Sequence, residues 1–120
     1  MRGVAVPLQW SYEARGGVGV VRLAGYLGVR SVDRFAGALG WAAARHTAAV
    51  VLDVGGLLGW SADGKAAVAD GAERLAAHGC VLHLCALHDL PRWQFTGSPV
   101  PVHADLAAAL AALGGADPDS

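Results

Sequence analysis

Between Ala49 and Leu75 the hydrophobic period changes once, from a continuous apolar run to a helical stripe, and this change constrains the fold more than any other feature. Val50, Val51, Leu52 and Val54 form a run broken by a single acid, Asp53. A half-exposed strand alternates apolar and polar residues, whereas an unbroken run reads as a strand covered on both faces. A short polar stretch follows, Trp60-Ser61-Ala62-Asp63-Gly64. From Ser61 to His78 the apolar and small residues Gly64, Ala67, Val68, Gly71, Ala72 and Leu75 recur at the spacing of one helix face. Ser61 stands where an N-cap accepts a backbone hydrogen bond, and Asp63 lies in the first turn, where negative charge complements the helix dipole. Interior Gly71 costs about 1 kcal/mol of helix propensity relative to alanine, so close packing is its expected reason. On the opposite side lie Lys65, Asp70, Glu73 and Arg74, with Asp70 and Arg74 at the i,i+4 spacing of an ion pair.

The rest of the chain fits around this unit. Leu8–Tyr12 and Val18–Ala24 read as strands joined at Arg15-Gly16-Gly17, a hairpin. A helix is expected from Ser31, as its cap, to His46, with Val32, Phe35, Ala36, Leu39 and Ala43 on its apolar face. Gly79 closes the second helix, and Cys80–Ala86 reads as a fourth strand. A short helix is expected over His88–Phe95 and a fifth strand over Val100–His103, held to a sheet edge by Pro99 and Pro101. Ala104–Leu113 reads as a last helix and residues 114–120 as a frayed tail. The order β-β-α-β-α-β-α-β-α predicts an α/β fold with a mixed sheet and crossover helices. One domain over residues 5–113 accounts for the chain, since its 120 residues show no composition shift or repeat.

Composition excludes several classes of function. Hydrophobic content of 54% with 16% charge describes a folded chain. A net charge of -1, scattered along the sequence, leaves no basic footprint for nucleic acid. No apolar stretch approaches the ~20 residues of a bilayer crossing, and the N-terminus lacks the apolar core of a secretory signal. Membrane insertion is therefore not expected, and a cytoplasmic location is. Cys80 and Cys85, five apart in one expected strand, point to opposite faces and cannot pair with each other. His78, His83 and His88 with these cysteines lack the short spacings of metal sites, although His83 and Cys85 share a strand face. No nucleophile elbow, phosphate loop or zinc helix is present, so neither catalysis nor a cofactor is expected.

The strand-to-helix junction resembles the phosphorylation loop of the STAS domain, the family of the bacterial anti-sigma factor antagonists, and the element order resembles that fold along nearly the whole chain. Val21–Gly28 resembles the family's second strand ending in Gly-Glu-Leu-Asp, with Tyr26 and Gly28 in place of the two acids, and Phe95-Thr96-Gly97 resembles its short helix ending at a glycine. Aligning Gly64 with the loop's glycine places Ser61 on its aspartate, Ala62 on its phosphoacceptor serine and Asp63 on the residue after it. The resemblance implies a non-catalytic module that binds a kinase-like anti-sigma factor, with a degenerate phosphorylation loop at Ser61, Ala62, Asp63 and Gly64. It implies partner contacts on the loop from Leu58 to Gly64 and the polar edge of the next helix, including Trp60, Lys65 and Arg74. Ser61 is read as a cap or as a phosphosite shifted by one residue. Asp63 complements the helix dipole or imitates a phosphate, and Trp60 anchors an interface or packs in the core. The alternatives to an antagonist are a structural subunit of a lipid-transport or stressosome-type assembly, and a small-ligand sensor with an apolar cleft beside Trp60 or Trp93.

Overall fold

The computed structural model describes residues 7–45, 47–86 and 100–113. Strands β1 (Gln9–Arg15) and β2 (Val18–Leu27) form the expected antiparallel hairpin. Its turn residues Gly16 and Gly17 have φ of 58° and 83°, the left-handed pair that a two-residue hairpin turn requires. A 3-10 turn (Val29–Ser31) leads into α1 (Val32–Ala43), followed by β3 (Ala49–Trp60), α2 (Ala62–Ala77) and β4 (Val81–Cys85). Further along are β5 (Val102–His103) and α3 (Leu106–Ala112). The strands lie in chain order, β1 antiparallel to β2 and each later pair parallel, so β5 is an edge strand among the described residues, with Pro101 just before it.

Adjacent parallel strands need crossover connections, and connections of one hand running in one direction put their helices on one face. Accordingly Phe35, Leu39 and Ala42 of α1 and Val68 and Leu75 of α2 share one core with Val21, Val50, Leu52, Val54, Leu82 and Leu84. On the other face Ala109 and Leu110 of α3 cover Val18, Val20, Val51 and Cys85. The Val50–Val54 run is thus buried from both sides, with every apolar member at most 1% exposed.

The expected stripe of α2 is the buried one: Gly64, Ala67, Val68, Gly71 and Leu75 face inward, with Ala72 packed beside them. A β-carbon on Gly71 would run into Cδ1 of Leu39, so this glycine permits contact with α1 as well as with the sheet. Because that obstacle is the tip of a flexible side chain, alanine at 71 recovers helix propensity of about 1 kcal/mol against a similar repacking cost. Gly71→Ala is expected to change urea-unfolding stability by less than ~1 kcal/mol, and a loss above ~2 kcal/mol would show that Leu39 cannot yield. After α2, Gly79 takes φ 77°, its N–H donates to the Ala76 carbonyl at 3.0 Å, and the Cys80 N–H donates to Leu75 at 2.9 Å. This paired closure satisfies the last carbonyls of the helix.

Several boundaries differ from the sequence reading. β3 does not end near Val54 but runs to Trp60, because β2 itself continues to Leu27 and remains paired with it. Gly55 and Gly56 bend this strand without ending it. Asp53 Oδ1 accepts from Gly55 N at 2.9 Å, and Gly56 lies so close to β2 that a β-carbon would be 2.7 Å from the Leu23 carbonyl oxygen. β1 extends to Arg15, and Cys80 precedes β4. The helix expected to reach His46 stops at Ala43, and Ser31 does not cap it through its side chain. The Ser31 hydroxyl instead accepts from Gly28 N at 3.0 Å and lies 3.1 Å from the Tyr26 and Gly28 carbonyl oxygens, closing the 3-10 turn. The helix expected over 88–95 and the tail over 114–120 lie outside the described residues.

Candidate functional site

The junction between β3 and α2 sits at the carboxyl end of the parallel strands, the end at which open α/β sheets present their binding sites. Only Ser61 separates strand from helix, with extended backbone at φ -95° and ψ 177°. Its N–H donates to the Leu27 carbonyl at 3.0 Å, its Oγ accepts from Gly64 N at 3.1 Å, and its carbonyl accepts from Lys65 N at 2.9 Å. The cap is therefore formed as the sequence suggests, a contact worth about 1 kcal/mol over alanine. Gly64 is buried directly over the end of β2, and a β-carbon there would collide with the Leu27 carbonyl oxygen and lie 3.0 Å from Leu27 C and Cγ. Ala62 and Asp63, between these two fixed points, are exposed. The turn thus offers position 62 to solvent while holding 61 and 64 in the framework.

The three expected contact residues do not form one patch. Trp60 is 8% exposed and belongs to the core beneath α1 and α2, so it does not anchor an exposed interface. Its Nε1 is buried without an acceptor among the described residues. Lys65 and Arg74 are nine positions apart, about 900° around the helix at 100° per residue, which leaves them half a turn out of phase. Arg74 flanks α1, whereas Lys65 lies on the opposite flank near the start of the helix. The i,i+4 spacing of Asp70 and Arg74 produces no ion pair among the described residues. The ion pairs formed there are on β1, β2 and β3, where Arg22 reaches Glu13 at 2.9 Å and Asp53 at 3.8 Å, and Arg15 reaches Glu13 at 3.3 Å.

Three exposed apolar residues at this end of the sheet were missed by the sequence reading, and they do not share one face: Tyr26 pairs with Gly59, so its strand neighbour Leu58 points the other way. Tyr26, Val29 and Leu58 are 44%, 68% and 72% exposed. The Tyr26 ring lies against Gly28 and Gly59, where added β-carbons would come within 2.7 and 3.2 Å of it. The available signal was two glycines bracketing one aromatic across paired strands, together with Val29 and Leu58 as apolar residues outside the core pattern. Tyr26 and Val29, with Pro7, Arg30 and Arg34, line a depression of about 430 Å³. An apolar groove of about 150 Å³ lies elsewhere, between α1 and α2, lined by Phe35, Leu39, Ala67, Gly71, Asp70 and Arg74 among others. Trp60 is not part of it, and Trp93 lies outside the described residues.

The cysteines offer no nucleophile. Cys85 is fully buried, and burial, followed by the nearby Asp53 and Asp105, pushes its thiol up to about 12. Burial also raises Cys80, on the opposite face of the sheet. A thiol so placed is not ionised near neutral pH and is unreactive. Among the described residues no group of three or more His, Cys, Asp or Glu side chains is arranged to hold a metal ion. No helix among them is long and apolar enough to cross a membrane.

No protein-family model matches the sequence, and no curated protein matches it. Solved structures do resemble it. An anti-sigma factor antagonist from Mycobacterium paratuberculosis matches with a TM-score of 0.72 at 20% identity, over 92% of this chain and 99% of that one. The anti-sigma factor antagonist SpoIIAA in its unphosphorylated form matches with a TM-score of 0.66 at 17% identity, over 89% of this chain and 99% of that one. A STAS-domain antagonist from Rhodobacter sphaeroides matches at 0.61 and 18% identity, over 69% of this chain and 90% of that one. At such identities the likeness establishes the fold: a mixed five-stranded STAS-type sheet with helices on both faces.

Proposed function

We propose that this chain is a STAS-family protein-binding module acting as an anti-sigma factor antagonist, which docks on a kinase-like anti-sigma factor without chemistry of its own. The observation that carries this reading is the fold match to three anti-sigma factor antagonists, two of them over nearly the whole chain, with a strand-to-helix turn that presents position 62 to solvent. The docking surface is the carboxyl end of the sheet around the turn at Ala62, Asp63 and Lys65, with the exposed Leu58 on one face of the sheet end and Tyr26 and Val29 on the other. Exposed apolar side chains ringed by polar ones are the composition of a protein interface rather than of ordinary surface. Arg30 and Arg34 flank it and favour an acidic partner surface. Ala62 has no hydroxyl, so binding is not switched off by phosphate at that position.

The test begins with affinity capture from the native host and mass spectrometry. Recovery of a histidine-kinase-like ATPase supports the reading, while recovery of transporter subunits alone would replace it with the structural-subunit alternative. Against the recovered partner, Leu58→Asp is expected to weaken binding about tenfold or more, and Lys65→Glu by a smaller factor. Arg74→Glu, on the far flank of α2, is expected to have the least effect. All three are surface changes expected to alter stability by no more than ~0.5 kcal/mol. Affinity unchanged by Leu58→Asp but lost in Arg74→Glu would move the interface to the α1–α2 side.

A further inference from the structure

We propose that His83 and His103 form an acid-opened latch that holds β5 and α3 onto the sheet, independently of any partner. His83 Nδ1 and His103 Nε2 are 3.0 Å apart, joining β4 to the last residue of β5. The ring planes differ by 24° and the centroids are 5.2 Å apart, so with nitrogens in contact the rings meet edge to edge. Each nitrogen is aimed at the other, which is the geometry of an N–H···N hydrogen bond. Metal ligands would instead converge on a third point.

Such a bond needs a proton on one facing nitrogen and a lone pair on the other. The neutral pair provides this, and so does the singly protonated pair. When both rings are charged, two donors and two positive charges face each other and the contact is lost. No carboxylate among the described residues forms an ion pair with either ring, although Asp53 and Asp105 lie close enough to act on Cys85. From β4, Cys85 is directly opposite His103 in register and stays a neutral thiol. From β3, Asp53 binds Gly55 N and faces Arg22 of β2, which is itself paired with Glu13 of β1. At the start of α3, Asp105 is engaged by Ala108 N at 2.8 Å, and Leu106–Ala112 carries no titratable side chain. Burial, followed by the proximity of His103, holds His83 below the ordinary histidine value.

The sign follows from linkage. A base whose folded-state value is depressed binds its proton more readily once the contact opens, so the closed form is fully favoured above the ordinary histidine range. That preference falls as pH drops toward the depressed value. Backbone pairing adds little to the latch, so the apolar packing of Ala109 and Leu110 is what else resists opening. β5 has two residues and is tied to β4 by Leu84 N to the Pro101 carbonyl at 2.8 Å and Ala86 N to the His103 carbonyl at 3.2 Å. Release of this flap would uncover Val20, Val51 and Cys85, all 0% exposed when it is closed.

Amide hydrogen exchange on the full chain, corrected for intrinsic rates, between about pH 7.5 and about pH 5 tests the latch across the histidine range. Protection of the Leu84 and Ala86 amides is expected to fall as pH drops, by up to about tenfold per pH unit for each linked proton, with Val50 and Leu52 unaffected. His103→Gln, which keeps a hydrogen-bonding side chain but cannot be charged, is expected to remove that pH dependence. His83→Gln gives the same reading should the first variant fail to fold. Nitrogen-15 spectra of the imidazoles in the unmodified protein show when both rings are protonated. Both rings charged with Ala86 still protected would overturn the proposal, as would undiminished pH dependence in a folded glutamine variant.

Discussion

Gly64→Ala should destabilise the protein by about 3 kcal/mol, lowering its melting temperature by ~10 °C, which is a large effect for one methyl group. The added β-carbon would enter the space of the Leu27 carbonyl oxygen. That carbonyl cannot swing aside cheaply, because it accepts from Ser61 N at 3.0 Å at the start of α2. Relief requires moving the first turn of α2 away from β2, which also strains the Ser61 Oγ contact to Gly64 N. Gly71 is the contrast within the same helix, since its obstacle is a rotatable leucine tip rather than backbone. Differential scanning calorimetry of both variants reads the distinction directly. If Gly64→Ala melts together with the unmodified protein, the close approach of α2 to Leu27 is not a feature of the folded state.

Ala62→Ser should convert an inert turn into a phosphoacceptor, a change from no labelling to near-stoichiometric labelling when the protein is incubated with ATP and the kinase-like anti-sigma factor proposed as its partner. Position 62 is exposed and is the first residue of α2. A phosphate there would bring ~1.5–2 negative charges beside the helix N-terminus, favourable to the dipole but repelled by Asp63. Ser61, one residue earlier, is rotated by about 100° around the axis, and its oxygen is committed to Gly64 N. Phosphorylating Ser61 would mean giving up the cap. Mass-spectrometric mapping separates the cases. Phosphate on Ser61 of the unmodified protein would overturn the claim that the switch is lost. An unlabelled Ala62→Ser variant, with the partner active on another substrate, would show that more than the hydroxyl is missing.

What the sequence determined by itself was local. The doubly covered strand Val50–Val54, the cap at Ser61, the inward stripe of α2 and the closing turn at Gly79 each depend on periodicity or on hydrogen bonds within a few residues. Such features are legible because neighbouring residues contain all the physics involved. The hairpin and the edge position of β5 were readable for the same reason, from glycines that take left-handed turns and prolines that cannot pair on both sides. Tertiary structure decided the rest. The apolar run stops at Val54 in the sequence, yet pairing with β2 carries the strand to Trp60. Trp60 could serve an interface or a core with equal chemical ease, and only the tertiary packing of the shared core buries it. Tyr26 and Val29 are unremarkable in isolation and come to line one depression because β2 turns into α1 beside them. His83 and His103 are twenty residues apart and come within 3.0 Å only because β5 pairs with β4. In each case the deciding energy is a contact between segments distant in the chain, which local pattern does not encode.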